Sequence, residues 1–521
     1  MKNTQLIELT TFDGRIPSEL SADYILPDTY PDVKRILRVS AKPVLIGRYI
    51  SGRRLEFSGA VDYSVIFSAD TENGESMHCV HFAGDFDGSA GDFDNLDRAV
   101  ISVIPTLGAC SARMANPRKL TLKSTVNTGI KITAPTSAEP SIEFADGTPD
   151  TSIEKLFSTI TARRERTFMC EPLRISENLD VDASKGAIDE IISCTAQILF
   201  GEAKVNLEDS TVALKGTANV NCIYKSESEA GVYRSFSRKI PVTHIADAAE
   251  YCGAFTSCRA ETLSATANAV TVEMNANVGE DSYGERRVIE LDMSADVTVG
   301  IVGGEDVSIV LDAYSTTHSS ECIMKNYAVK TPDKTFSTSF SVSETLTRDQ
   351  ISLPENCSII DTQLEIVSPQ ISAQRGRLQL AANAVVSSIV ESDGAYSGMT
   401  ATIPIKCELG ASDISTPVCR FAQFLASDVR TRADSDGIHL DFEVSVCTAV
   451  CEEKNVSAVS EVRLSGECKR SDGDFTLTLC YPSPEDTLWQ IAKRYKTTVA
   501  NVEAANIART ASVLVIPNDA V

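Results

Sequence analysis

The chain has 521 residues, enough for about three to five domains. Its 48 Lys and Arg against 72 Asp and Glu give a formal net charge of −24, which excludes a generic nucleic-acid binder and docking on anionic lipid by charge alone. With 43% hydrophobic and 23% charged residues, the composition is that of folded domains rather than a disordered chain.

In chain order, the N-terminus MKNTQLIELTTFDGRIP is interrupted by Glu8 and Asp13. It therefore lacks the continuous apolar stretch of about 7–15 residues found in a secretory signal. No window approaches the roughly 20 apolar residues of a membrane span, so a cytoplasmic protein without a transmembrane segment is expected. A short helix is predicted within ILPDTYPDVKRILRVS, capped by Thr29, with Pro31 near its first position. Further on, AGDFDGSAGDFDNLD contains GDFD twice and reads as a solvated acidic loop. Carboxylates are suitable Ca²⁺ ligands, but the spacing does not follow an EF-hand, so no metal is expected there.

Period-two alternation then dominates, as in Leu55–Phe67, Thr211–Tyr224 and Leu378–Val390, and predicts half-buried antiparallel strands. These segments sit within longer stretches that resemble one another, with Ile36, Ile191 and Ile359 as equivalent starts. Each stretch reads as strand, break, second strand, Gly- or Ala-rich third strand, turn and fourth strand. A second half follows each, beginning at LGACSARMANP, TSCRAETLSAT and LASDVRTRADS. Leu156-Phe157-Ser158-Thr159 also matches Ala313-Tyr314-Ser315-Thr316 weakly, as if both were connectors. The period of about 160 residues is far longer than a solenoid repeat of about 20–50, so the copies are expected as all-β domains in a row. Their boundaries are placed at 1–150, 151–310 and 311–470.

Candidate chemistry is sparse. The 15 cysteines form no CxxC pair, and Cys194 and Cys222, in apolar runs, read as small buried hydrophobes. In His78-Cys79-Val80-His81, residues 78 and 81 would face opposite sides of a strand and not share an ion. Cys447 and Cys451 are four apart, but their surroundings also read as strand. No P-loop, GxSxG, HExxH or Rossmann glycine pattern is present. Neither a cofactor nor catalysis is expected.

Past Leu479 the pattern changes. YPSPEDTLWQIAKRYKTTVANVEAANIARTASVLVIPN predicts two short helices between two short strands, a βααβ module over 478–521. Asp486 or Thr487 caps the first helix, whose Leu488, Ile491, Ala492 and Tyr495 share a face. The second starts near Thr498 and turns Val499, Val502 and Ala505 inward, and the closing strand ends at Pro517. Trp489, the only Trp, reads first as a core residue.

EDTLWQIAKRY, TTVANVEAAN and VLVIP together resemble a LysM domain. The sequence departs from the LysM pattern at Glu485, where Gly is usual, and in a short loop between Asn506 and Pro517. The resemblance implies a shallow groove for N-acetylglucosamine chains, formed by that loop and the strand-to-helix loop; the short loop argues for a protein ligand instead. The segment LPDTYPDVKRILRVSAKPVLIGRYISGRRLEFSGAVDYSVIF resembles the SPOCS domain of endospore-forming Firmicutes, most clearly over Ile7–Phe67. Three SPOCS-like β-domains followed by a LysM-like module are similar to the SipL-like spore coat morphogenesis proteins. That resemblance implies a mainly β, non-catalytic protein in the mother cell cytoplasm, at the forespore surface or spore coat. Its LysM module would bind the sporulation stage IV coat ATPase, alongside other coat or forespore-surface proteins. The alternative is a peptidoglycan-binding protein of the cell wall or spore cortex, using the same module. The residues expected to form the binding surface are Glu485, Asp486, Thr487, Leu488, Trp489 and Lys493, with Ile507, Ala508 and Arg509 in the loop extending to Ser512.

Overall fold

The structure, a computed structural model, describes residues 6–517 apart from 73, 94–95, 97–98, 145–151, 228–231, 352, 355, 468–476 and 508–512. It opens with β1 (Leu6–Ile25), a meander of β2 (Arg35–Ser51), β3 (Arg54–Thr71) and β4 (Gly74–Gly91), and a hairpin of β5 (Val100–Asn116) and β6 (Lys119–Ser137). β6 returns between β5 and β1, so the first unit is two three-stranded antiparallel sheets. After the short β7 (Ser141–Phe144), the same order recurs. The second unit contains β8 (Ile153–Met169), β9 (Leu173–Asp180), β10 (Ile188–Asn206), β11 (Thr211–Ser226) and β12 (Tyr233–Asp247). A helical turn, α1 (Ala249–Cys252), leads to its hairpin, β13 (Ser264–Gly279) and β14 (Val288–Ser315). The third contains β15 (His318–Lys330), β16 (Lys334–Thr347), the turn α2 (Arg348–Ile351), and the meander β17 (Ser358–Gln374), β18 (Arg377–Ser392) and β19 (Ala395–Ala411). Its hairpin is β20 (Pro417–Ala433) and β21 (Gly437–Glu467). In the second and third units the opening strand is broken in two, and both pieces pair with the long strand β14 or β21. The chain ends in β22 (Leu477–Cys480), α3 (Leu488–Arg494), α4 (Val499–Asn506) and β23 (Leu514–Pro517).

Alternation explains the sheets. One face of each meander's middle strand is apolar: Leu55, Phe57, Val61, Tyr63, Val65 and Phe67 on β3 are buried against the facing sheet. Val212, Leu214, Ala218, Val220 and Tyr224 on β11, and Leu378, Leu380, Ala384, Val386 and Val390 on β18, do the same in their units. Tight turns follow from local chemistry: Asp393 and Gly394 both have positive φ, as a two-residue type I′ hairpin requires.

The other face of these strands decides how the units sit together. Ile66, Ile223 and Ile389 are only 3%, 1% and 0% exposed, and they gather in one cluster with Leu37, Met77, Tyr233 and Tyr396. In each unit the opening strand of the meander has the same register shift, between Ile36 and Arg38, Ile191 and Ser193, and Ile359 and Asp361. Arg38, Ser193 and Asp361 are therefore structural equivalents, and each lies opposite one of the three isoleucines. All three are buried, and Arg38 donates to Asp361 at 2.5 Å.

Every pair of units is joined. Lys131 meets Glu165 at 2.6 Å and Arg166 meets Glu8 at 2.7 Å between the first and second. Lys239 reaches Asp428 and Glu443 between the second and third. Arg35 donates to the Tyr396 carbonyl between the first and third, and β7 pairs in parallel with β21. Tyr233 accepts from the buried Met77 N–H and packs edge-on against Tyr396, so one ring touches all three units. The β-domains expected in a row thus close into a ring about a shared apolar centre.

Several local expectations are corrected. The helix predicted after Thr29 is an irregular loop running into β2 at Arg35. Arg118 fastens the loop: its guanidinium donates to the carbonyls of Leu26 and Pro27, ahead of the predicted cap, and to that of Tyr30, which a helix would use internally. The first GDFD lies not in a loop but on β4, where Phe86 is buried in the first core; part of the second lies outside the described residues. Cys194 and Cys222 are disulfide-bonded rather than separate hydrophobes, because they stand directly opposite on β10 and β11. Residues 156–159 and 313–316 are not equivalent connectors, since 156–159 lie on β8 and 313–315 on β14, its pairing partner. β14 also runs through the boundary expected between 310 and 311.

Candidate functional site

The C-terminal residues fold as a strand, two helices and a strand, with β22 antiparallel to β23. Thr487 caps α3 with a full capping box: its hydroxyl accepts from the Gln490 N–H, and the Gln490 side chain accepts from the Thr487 N–H. Thr498 caps α4 with its hydroxyl alone, which accepts from Asn501 N–H. Asn506 fastens the end of α4 to β23: its amide donates to the carbonyls of Val502 and Val515 and accepts from Val515 N–H. Ile491, Ala492, Val502, Ile516 and Cys480 form the core, with Trp489, Val499 and Leu514 packed on it. The inward face of α3 is therefore Ile491 and Ala492 with Trp489, while Leu488 and Tyr495 face outward.

This core is completed from outside the module. Tyr314, at the end of β14, is fully buried among the module's apolar residues and donates its hydroxyl to the Thr497 carbonyl at 2.7 Å. Burial pushes its phenol up to about 12, so the hydroxyl remains a donor across the physiological range. Its ring meets Trp489 edge-on, with centroids 4.9 Å apart. Two residues earlier on the same strand face, Asp312 accepts from Trp489 Nε1 at 2.9 Å and from Lys493 Nζ with both oxygens at 2.7 Å. Burial alone would raise the Asp312 carboxyl, but the bonds from Lys493 and Trp489 hold it below the ordinary value.

The expected binding residues divide accordingly. Trp489 and Lys493 face Asp312 of the β body. Glu485, Thr487 and Leu488 are exposed at the start of α3, and Asp486 is held by the Ser483 N–H and by Arg494 at 3.0 Å. Ile507 is 87% exposed and Tyr481 73% exposed. Ala508 and Arg509 lie outside the described residues. Sequence reasoning missed Asp312 and Tyr314; the one available signal was their i, i+2 spacing on a strand, which any exposed alternation shares.

Among the described residues, no group of three or more His, Cys, Asp or Glu is placed to hold a metal ion, and no helix is long and apolar enough to cross a membrane. Residues 483–516 match the family model for the LysM domain. No curated protein and no solved structure matches the chain. The capped helix pair, its closing asparagine and the family match together identify residues 483–516 as a C-terminal LysM domain carried on a mainly β body.

Proposed function

We propose that this is a non-catalytic assembly protein of the spore coat, acting in the mother cell cytoplasm at the forespore surface. The closed β ring serves as a rigid platform, and the LysM domain recruits the coat's basement-layer ATPase. The observation that supports this reading is the fixed mounting of the LysM domain on the ring through Tyr314 and Asp312. A recruiting module held in one orientation positions its ligand relative to whatever else the ring contacts, and several such contacts raise avidity through effective concentration. Affinity capture from sporulating cells tests it: the full chain should retain the ATPase, and a chain ending at Gly466 should lose it. Equal capture by both would reject the LysM-centred reading.

The second reading is binding to peptidoglycan, favoured by the LysM family match and by the exposed apolar residues Tyr481, Leu488 and Ile507. Saturable pelleting of the full chain with purified peptidoglycan at physiological salt would establish it over the first.

A further inference from the structure

On the second unit, the outer face of the meander seats the hairpin sheet of the third. Leu199 packs with Phe421, Leu425 and Cys447, and Asn219 donates to the Ala426 carbonyl. Leu199 and Asn219 are 5% and 2% exposed. The residue skipped by the register shift between Phe200 and Glu202 is Gly201, where a Cβ would already stand 3.7 Å from Ser337 Oγ on β16.

The register puts Val44, Ile46 and Asp62 of the first unit at the places of Leu199, Gly201 and Asn219. There the face is open: Ile46 is 69% exposed, Tyr49 further along β2 is 57% exposed, and Asp62 is exposed as well. The reason lies in the wall that would cover it. Ala295 on β14 and Val450 on β21 each pair with the first residue after the break in their opening strands, Leu173 and Lys334. Counting from them, Asp292 and Glu273 of the second unit stand where the third has Cys447 and Phe421. An acidic wall thus replaces an apolar one. The seat is itself acidic, since Glu56, Asp62, Asp85 and Asp87 share the outer face of β3 and β4. Like charges on both walls hold the sheets apart, and Lys42 is the cation between them. Burial pulls its ammonium below the usual lysine value, against Asp62 of its own sheet and Asp296 and Glu273 of the second unit.

We propose that this open seat on the first unit is the docking surface for an extended cationic segment of a partner protein, with Lys or Arg at alternate positions. Alternate side chains of such a strand point one way, as the carboxylates of the seat do, so the two sets meet across the cleft. Lys42 already shows an ammonium held between the walls, and Ile46 and Tyr49 offer apolar contact beside it. The net charge of −24 draws a cationic partner in and repels an acidic one, a second copy of this chain included. The seat lies on the ring and not on the LysM domain, so it goes beyond the function proposed above and does not rest on it.

The test uses the full chain and the fluorescently labelled peptide KVKVKTK, followed by anisotropy at about 0.15 M salt. The peptide should bind saturably, and EVEVETE should not bind. Asp85→Lys with Asp87→Lys, at two exposed positions, should weaken binding about tenfold or more. Ile46→Ser should weaken it about threefold or more through lost apolar contact. Glu344→Lys with Glu503→Lys makes the same change of net charge at exposed positions on the third unit and the LysM domain. That control should stay within about twofold of wild type, because charges beyond a Debye length are screened.

Equal weakening by the two double variants would reduce the effect to net charge and overturn the proposal. So would equal binding of EVEVETE, or no saturable binding of KVKVKTK to wild type. Should the Asp85 and Asp87 variant melt early, Ile46→Ser decides, and unchanged binding to it rejects the seat. None of these outcomes depends on capture of the ATPase, so the two readings fail separately.

Discussion

Arg38 and Asp361 hold equivalent places in two copies of one fold, with Ser193 at the third. Three identical chains around the same centre would gather three arginines or three aspartates there, with no counter-charge. Divergence within a single chain allows one of each, and the pair is made with both side chains under a tenth exposed. Removing one partner leaves a buried charge, so Asp361→Ala should cost about 3–5 kcal/mol in urea denaturation. Replacing both by apolar residues should cost less than that single change. Asp312 gives a second prediction at this scale. Its lowered carboxyl means that docking of the LysM domain is at full strength above the ordinary Asp value of about 3.8 and fades as pH falls through the lower, folded value. The neighbouring Cys322 thiol, pushed up by burial, stays neutral throughout. Acid titration of Trp489 fluorescence should therefore show loosening below about pH 4, and the Asp312→Asn variant should lack that step.

At the scale of elements, the ring depends on strands from different units lying close. A Cβ at Gly398 on β19 would stand 1.7 Å from the Leu37 carbonyl oxygen on β2, and backbone on both sides leaves little room to yield. Gly398→Ala should destabilise the protein by about 1–3 kcal/mol or more through overpacking at the junction of the first and third units. Ile389→Ala on β18 removes one of the three central isoleucines and should cost about 2–5 kcal/mol, measured in the same denaturation series. A matching change at the exposed Ile245 should fall within about 0.5 kcal/mol of wild type. The strands themselves were legible: alternation in β3, β11 and β18 marks their buried faces without reference to any partner. The loop before β2 was not, because its cap residue and proline suit a helix, and its attachment to the distant Arg118 through the carbonyls of Leu26, Pro27 and Tyr30 leaves no local mark.

For the whole molecule, the shared centre couples units that the repeat presents as separate. Tyr233 touches all three, and the cluster around it takes residues from each meander. The β body should therefore unfold in calorimetry as one cooperative transition, and three resolved transitions would show the units to be independent. The LysM domain, tied on by a partly solvated ion pair and one tyrosine, should melt or detach separately.

By itself, the sequence determined what period and local chemistry can carry: a mainly β chain, the recurrence of one strand order, and a LysM domain with its caps and closing asparagine. These depend on neighbours a few residues away, on alternation, or on a motif whose core is local. Tertiary structure alone decided the closure of the ring, the pairing of Arg38 with Asp361, and the seating of Asp312 and Tyr314 in the LysM domain. Each joins residues more than 150 positions apart, where composition and spacing leave no trace. A buried ion pair or a docked tyrosine looks in sequence like any other alternating residue until packing supplies its partner.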